Sequence, residues 1–193
     1  MALNQTIKDF EEAASRKDFA RNNLFRLTSI KCRGLELDMS KNKDEILYCR
    51  NTVAIPSREN PHATVKYMGM EHHYPQSTVR YPNSADMQME FYVDANSTIV
   101  EKFERASRYL FNESSSTGNW RFPSMQDVLT VAVEDMSHNE IETITFRGVS
   151  FKSIDEVKAE IADGDGSAIT FSVHFTYFRY ERNGSNHVYT GSN

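Results

Sequence analysis

Met87-Gln88-Met89-Glu90-Phe91-Tyr92-Val93-Asp94 is followed, three residues on, by Thr98-Ile99-Val100-Glu101-Lys102-Phe103-Glu104-Arg105-Ala106-Ser107-Arg108-Tyr109-Leu110. In the first segment Met87, Met89, Phe91 and Val93 alternate with Gln88, Glu90 and Tyr92, the period of a strand with one face buried. Asp94-Ala95-Asn96-Ser97 stops that strand and offers helix N-caps. The period then changes: Ile99, Val100, Phe103, Ala106 and Leu110 form one apolar stripe of a helix over Ser97 to Phe111. Glu101/Arg105 and Glu104/Arg108 are i, i+4 pairs on its solvated side. A half-buried strand handed straight to a one-sided helix predicts a sheet packed beneath a single central helix.

Outward from this junction, period-two patterns recur. Leu24 to Cys32 alternates and is broken by Gly34, after which Leu35-Glu36-Leu37 starts a return strand. Ser40 to Glu45 reads as a polar loop and Ile46 to Asn51 as a strand, ended at Ala54-Ile55-Pro56-Ser57 because proline cannot donate to a ladder. Ala63 to Met70 is a strand with Val65 and Tyr67 opposite Thr64, Lys66 and Met68. Glu71 to Gln76 reads as a turn containing Pro75, and Thr78 to Tyr81 as a short strand. Beyond the helix, Glu113 to Asn119 is a Ser-rich loop and Trp120-Arg121-Phe122-Pro123 closes a long connection. Val128 to Glu134 and Glu142 to Val149 are strands, the latter with Gly148 at its end. Ser153 to Ile161 reads as a short helix, and Ala168 to Glu181 as one long strand. Residues 4 to 16 form an amphipathic helix with Ile7, Phe10, Ala13 and Ala14 on one face. The expected fold is mainly β (α+β): a rolled antiparallel β-sandwich or barrel with one central helix and short flanking helices. Residues 1–182 form one domain, and 183–193 a flexible polar tail.

Composition narrows function. The 193 residues suit one domain with a sizeable core, and the 39% hydrophobic content is ordinary for a globular chain. A net charge of −5 with no basic cluster argues against gripping nucleic acid. Cys32 and Cys49 show no metal-ligand spacing and read as two buried thiols. The N-terminus is polar by residue 4, so no signal peptide is expected, and no apolar run reaches the ~18 residues of a membrane span.

Catalytic and metal signatures are missing from the sequence. Asp163-Gly164-Asp165-Gly166-Ser167 starts like a calcium loop, but its twelfth position is His174 where a bidentate Glu is needed, so it reads as a turn. His72 and His73 are adjacent on an extended segment and point to opposite faces, so they read as solvated loop histidines rather than a metal pair. No nucleophile elbow, phosphate loop or zinc-protease motif occurs. No enzyme activity, cofactor or metal is expected.

Three blocks carry a resemblance. They are Asp18-Phe19-Ala20-Arg21-x-Asn23-x-Phe25; the stretch from Cys49-Arg50-Asn51-Thr52-Val53-Ala54-Ile55-Pro56 through the Met87–Asp94 strand to Phe103 and Phe111; and Ile144-Thr145-Phe146-Arg147-Gly148-Val149 with the terminal strand Ile169 to Tyr180. In order and spacing they are similar to the tail tube proteins of contractile-tailed (T4-like) bacteriophages, a fold shared with type VI secretion tube proteins. The resemblance implies a structural virion protein: a subunit of homohexameric rings that stack into the inner tail tube, assembled in the host bacterial cytoplasm. Its implied partners are other copies of itself, the tail sheath protein, and baseplate and tail-terminator proteins. Double-stranded DNA would pass through the lumen without specific binding, and no membrane is involved. Subunit contacts are expected from Phe10, Phe19 and Arg21, from Tyr67, Met68, Met70 and Tyr74, and from Trp120 and Phe122. Within the same fold the alternative is a baseplate-proximal tube or tube-initiator protein. From another class it is a β-sandwich carbohydrate- or peptide-binding module, for which Tyr74, Tyr81 and Trp120 are the aromatic-platform candidates.

Overall fold

A computed structural model describes residues 25–53, 55–119, 121–135, 137–157 and 168–184. In chain order the strands are β1 (Phe25–Cys32), β2 (Leu35–Asp38), β3 (Cys49–Asn51), β4 (His62–Tyr67), β5 (Met70–Pro75), β6 (Met87–Tyr92), β7 (Phe111–Asn112), β8 (Thr117–Gly118), β9 (Val128–Glu134), β10 (Glu140–Arg147), β11 (Ser150–Ile154), β12 (Thr170–Thr176) and β13 (Arg179–Gly184). Helices α1 (Lys43–Leu47) and α2 (Thr98–Leu110) precede β3 and β7, and a 3-10 turn spans Pro82–Ala85. Every pairing is antiparallel. One sheet runs β13-β10-β9-β1-β2 and the other β11-β12-β6-β3. The fold is thus mainly β, as the alternating patterns predict.

The two sheets are halves of one folded ribbon. β10 pairs with β13 up to Arg147↔Arg179, and the pairing resumes at Ser150↔Thr176 between β11 and β12. Between them Gly148-Val149 and Tyr177-Phe178 turn the corner together. The Phe178 N–H donates to Arg147 O at 3.0 Å, and the Tyr177 N–H to Ser84 O at 2.9 Å. The single long strand expected over Ala168 to Glu181 is therefore broken at Tyr177-Phe178. Across the corner the alternation shifts by one residue: Tyr177 and Tyr180, three positions apart, both pack on the core at Phe146. Gly148 has φ +68°, and a Cβ placed there would lie 2.3 Å from Phe178 Cδ2. Gly148→Ala is expected to destabilise the fold by about 2 kcal/mol, from left-handed backbone strain and displacement of the Phe178 ring. Urea unfolding checks this, and adding Phe178→Ala should return the steric part of the loss.

Between the sheets lies one core. β6 contributes Met87, Met89 and Phe91; β12 contributes Phe171, Val173 and Phe175; the other sheet contributes Leu27, Ile30, Leu37, Leu129, Val131, Ile144 and Phe146. Helix α2 lays Ile99, Phe103 and Ala106 over it as its stripe predicts. Phe103 is fully buried, with ring centroids 5.2–6.4 Å from Phe91, Phe151, Phe171 and Phe175. The cap is Asp94 rather than Ser97: its carboxylate accepts from the Ile99 N–H at 3.1 Å and the Thr98 hydroxyl at 2.5 Å. Gly34, at φ +76° in the β1–β2 turn, lets α2 approach, since a Cβ there would sit 2.8 Å from Tyr109 Cβ.

Other expectations need correction. The loop expected over Ser40 to Glu45 and the strand from Ile46 contain α1, anchored by buried Ile46 and a Lys102–Glu45 ion pair; only Cys49–Asn51 is strand. Glu71 to Gln76 is not a turn but strand β5, in which Pro75 is terminal, where a missing N–H is tolerated. Thr78 to Tyr81 reduces to a single bridge, Glu59↔Arg80, because Pro82 opens the 3-10 turn next to it. The helix expected from Ser153 is strand β11 as far as Ile154, which pairs with Val173. The Ser-rich connection contains a two-residue ladder, Phe111↔Gly118 and Asn112↔Thr117. β13 extends to Gly184, two residues past the expected domain end. The 4–16 helix and the Asp163–Ser167 loop fall outside the described residues.

Candidate assembly surface

The β4–β5 hairpin stands clear of both sheets. Among the described residues it pairs only within itself and makes no extensive contact with another element. Its register places Tyr67 opposite Met70, Val65 opposite His72, and Ala63 opposite Tyr74. One face of the ribbon is therefore Ala63, Val65, Tyr67, Met70, His72 and Tyr74. The other is His62, Thr64, Lys66, Glu71, His73 and Pro75. Thr64 Oγ1 and His73 Nδ1 are hydrogen-bonded on that second face at 3.2 Å. The apolar face is bare: Val65, Tyr67, Met70 and Tyr74 are each 50–67% exposed. A lone two-stranded ribbon is marginal in water, and one with an uncovered apolar face calls for a partner.

At its tip, Met68 (φ +50°) and Gly69 (φ +79°) are both left-handed. Asn-Gly is the relaxed choice for such a turn; Met at the first position costs about 1 kcal/mol of backbone strain. That strained methionine is 84% exposed. Met68 is thus a turn residue and does not share the face of Met70. Met87 and Met89, which share one face of β6, are fully buried in the core.

A second apolar patch lies at the ribbon corner. Phe122, 69% exposed, has its ring 5.7 Å from that of Phe178, and Met125 beside them is also exposed. Arg147 donates from Nη1 to Met125 O and from Nε to Glu181 at 2.7 Å. Tyr67, Met68, Met70 and Tyr74 thus lie on one hairpin and Phe122 at a separate corner. Phe10, Phe19, Arg21 and Trp120 lie outside the described residues. Sequence reading missed Met125 and Phe178, whose exposure depends on the corner, and gave His72 to a loop.

Of the aromatic-platform candidates, Tyr74 and Tyr81 are described, and they lie at different places in the fold. Tyr81 is packed edge-on against Tyr180 and near Tyr177, part of the core margin, whereas Tyr74 is on the hairpin beside His72. Among the described residues no group of three His, Cys, Asp or Glu could hold a metal. Cys32 and Cys49 are free, and burial pushes both thiols up to about 12, well away from reactivity. A cleft of about 550 Å³ beside Gly34 holds Arg105 and Arg108, each already paired with a glutamate one turn earlier on α2.

The outer face of the four-stranded sheet is polar and tied together at His174. Its Nδ1 lies 2.8 Å from Asp86 Oδ1 and its Nε2 3.2 Å from Asp155 Oδ2; Lys152 donates to Asp86 at 2.9 Å. Carboxylates at both ring nitrogens require both to carry protons, so the imidazolium is the form that fits. Partial burial opposes the charge, and the hydrogen bonds to Asp86 and Asp155 outweigh it, raising the pKa above 6.5. Asp86 is lowered by hydrogen bonds from Lys152 and His174. The raised histidine stabilises fully below 6.5 and loses its contribution as pH rises through the folded pKa; the lowered aspartate loses its own as pH falls below 3.8. The stability gap between wild type and His174→Gln should be widest near about pH 5 and close on the alkaline side, as read by urea midpoints across pH.

Neither family models nor curated protein sequences match this chain. Solved structures do. A chain of the anti-feeding prophage baseplate matches with TM-score 0.57 at 11% identity, over 88% of this chain and 99% of that one. A chain of the sheath/tube terminator of the PVC extracellular contractile injection system matches with TM-score 0.58 at 7% identity, over 87% and 99%. One from the sheath–tube complex of the same system matches with TM-score 0.56 at 7% identity, over 90% and 97%. The chain thus shares its overall fold, over most of its length, with chains of contractile injection systems.

Proposed function

We propose that this chain is a ring-forming structural subunit of a contractile tail, stacking as hexamers into the inner tube of a phage-type particle. The observation that carries this reading is the β4–β5 hairpin, an amphipathic ribbon with its apolar face in water and a strained methionine at its tip. An isolated subunit gains nothing from such an arm; a ring subunit buries it on its neighbour. Tyr67, Met68, Met70 and Tyr74 are the arm's contacts and Phe122 a contact of the corner, with Phe10, Phe19, Arg21 and Trp120 adding to them. Sheath, baseplate and terminator proteins are its further partners in the tail, which assembles in the host bacterial cytoplasm. The net charge of −5 suits a lumen through which double-stranded DNA must slide without being held.

Solution mass and electron microscopy of the purified protein test this. Rings or tubes with a central hole are the expected result; a strict monomer at high concentration overturns the reading. Deleting residues 118–122 is expected to stop tube growth. Because Gly118 pairs with Phe111 and the Asn119 N–H caps Leu110 O, Phe122→Asp is the cleaner variant: it should abolish growth with the circular dichroism unchanged.

A further inference from the structure

We propose that subunit contact through the hairpin is acid-sensitive and that His72 is the residue that makes it so. The proposal rests on the reading of the hairpin as an assembly arm and takes a second copy of this chain as the partner. Three of the six histidines lie on this one ribbon, at 62, 72 and 73, but alternation separates them. His62 and His73 share the polar face with Lys66 and Glu71. His72 alone sits on the apolar face, between Met70 and Tyr74 and across from Val65.

No carboxylate shares that face; its other titratable groups are the phenols of Tyr67 and Tyr74. Glu71, the neighbouring acid, projects from the opposite side, across from Lys66. The Tyr74 ring is 6.5 Å from the imidazole and tilted by 37°, beyond the face-on approach that would stabilise a cation. Covering the face against another copy therefore strips water from His72 and offers a proton's charge nothing in exchange from its own ribbon. The neutral imidazole is tolerated in the contact, and the imidazolium opposes it.

His174 acts with the opposite sign, since its protonated form ties the sheet together. Acid in the histidine range thus strengthens that clasp of the subunit while weakening the contact, so dissociation and unfolding separate.

The test is the critical concentration for assembly, measured by sedimentation of the full chain from about pH 8 to about pH 5, with circular dichroism at each point. It should rise as the pH falls across this range, by up to about tenfold per pH unit. His72→Phe and His72→Gln, neutral throughout, should flatten the profile, and His73→Gln on the opposite face should leave it as in wild type. A flat wild-type profile, stronger assembly in acid, or a profile that His73→Gln flattens and His72→Gln does not, overturns the proposal while the assembly reading stands. Failure to assemble at any pH overturns both.

Discussion

Phe103→Ala should lower subunit stability by about 3–5 kcal/mol, a large share of the roughly 5–15 kcal/mol that holds a typical domain folded. Phe103 is fully buried on α2, and four rings surround it: Phe91, Phe151, Phe171 and Phe175. These come from β6, β11 and β12, so one side chain locks the helix onto three strands of the four-stranded sheet. Truncation removes the transfer energy of the ring and leaves a cavity that the four surrounding rings cannot close by small shifts. Phe103→Leu keeps much of the volume and should lose roughly half as much. A urea midpoint displaced by less than about 1 kcal/mol would show that the helix is held elsewhere.

The complementary expectation is a large loss of assembly with no loss of folding. Tyr67→Asp with Met70→Asp puts two carboxylates opposite each other on the bare face of the hairpin. In the free subunit both positions are already more than 60% exposed, so folding changes little. In a contact, each charge would be buried without a partner, at several kcal/mol apiece. The critical concentration for assembly should rise by at least about a hundredfold, with an unchanged urea midpoint. Sedimentation read beside denaturation separates this from misfolding. Rings forming at wild-type concentration would remove the hairpin from the interface.

Much of the fold was legible because burial writes period two or 3.6 into the chain. Met87 to Val93, Val128 to Glu134 and the stripe Ile99–Phe103–Ala106 each pack one face on a single core, and each was read correctly. The errors fall where that rule fails. At Tyr177-Phe178 the ribbon turns without any interruption of apolar residues, so a corner looked like a continuous strand. Lys43 to Leu47 buries little besides Ile46, which is too little signal to betray a helix. On β5 neither face is packed in the subunit, so Glu71 to Pro75 read as a turn although the backbone is paired throughout. The same cause hid His72, whose place on the apolar face follows from register alone. Phe122 was legible as an exposed contact candidate, but its neighbours Met125 and Phe178 were not, since the turn at Gly148 and the 121–127 connection bring them together.

The detachment of the hairpin also bears on how such a protein can change over time. No hairpin side chain belongs to the buried core, and no core side chain belongs to the hairpin. On the proposed assembly role, substitutions in Ala63 to Tyr74 are screened by the neighbour and scarcely by the stability of the subunit itself. Partner choice can drift while the sandwich is held constant. Two lineages carrying the same fold could thus stop recognising each other's subunits through a handful of changes on one ribbon.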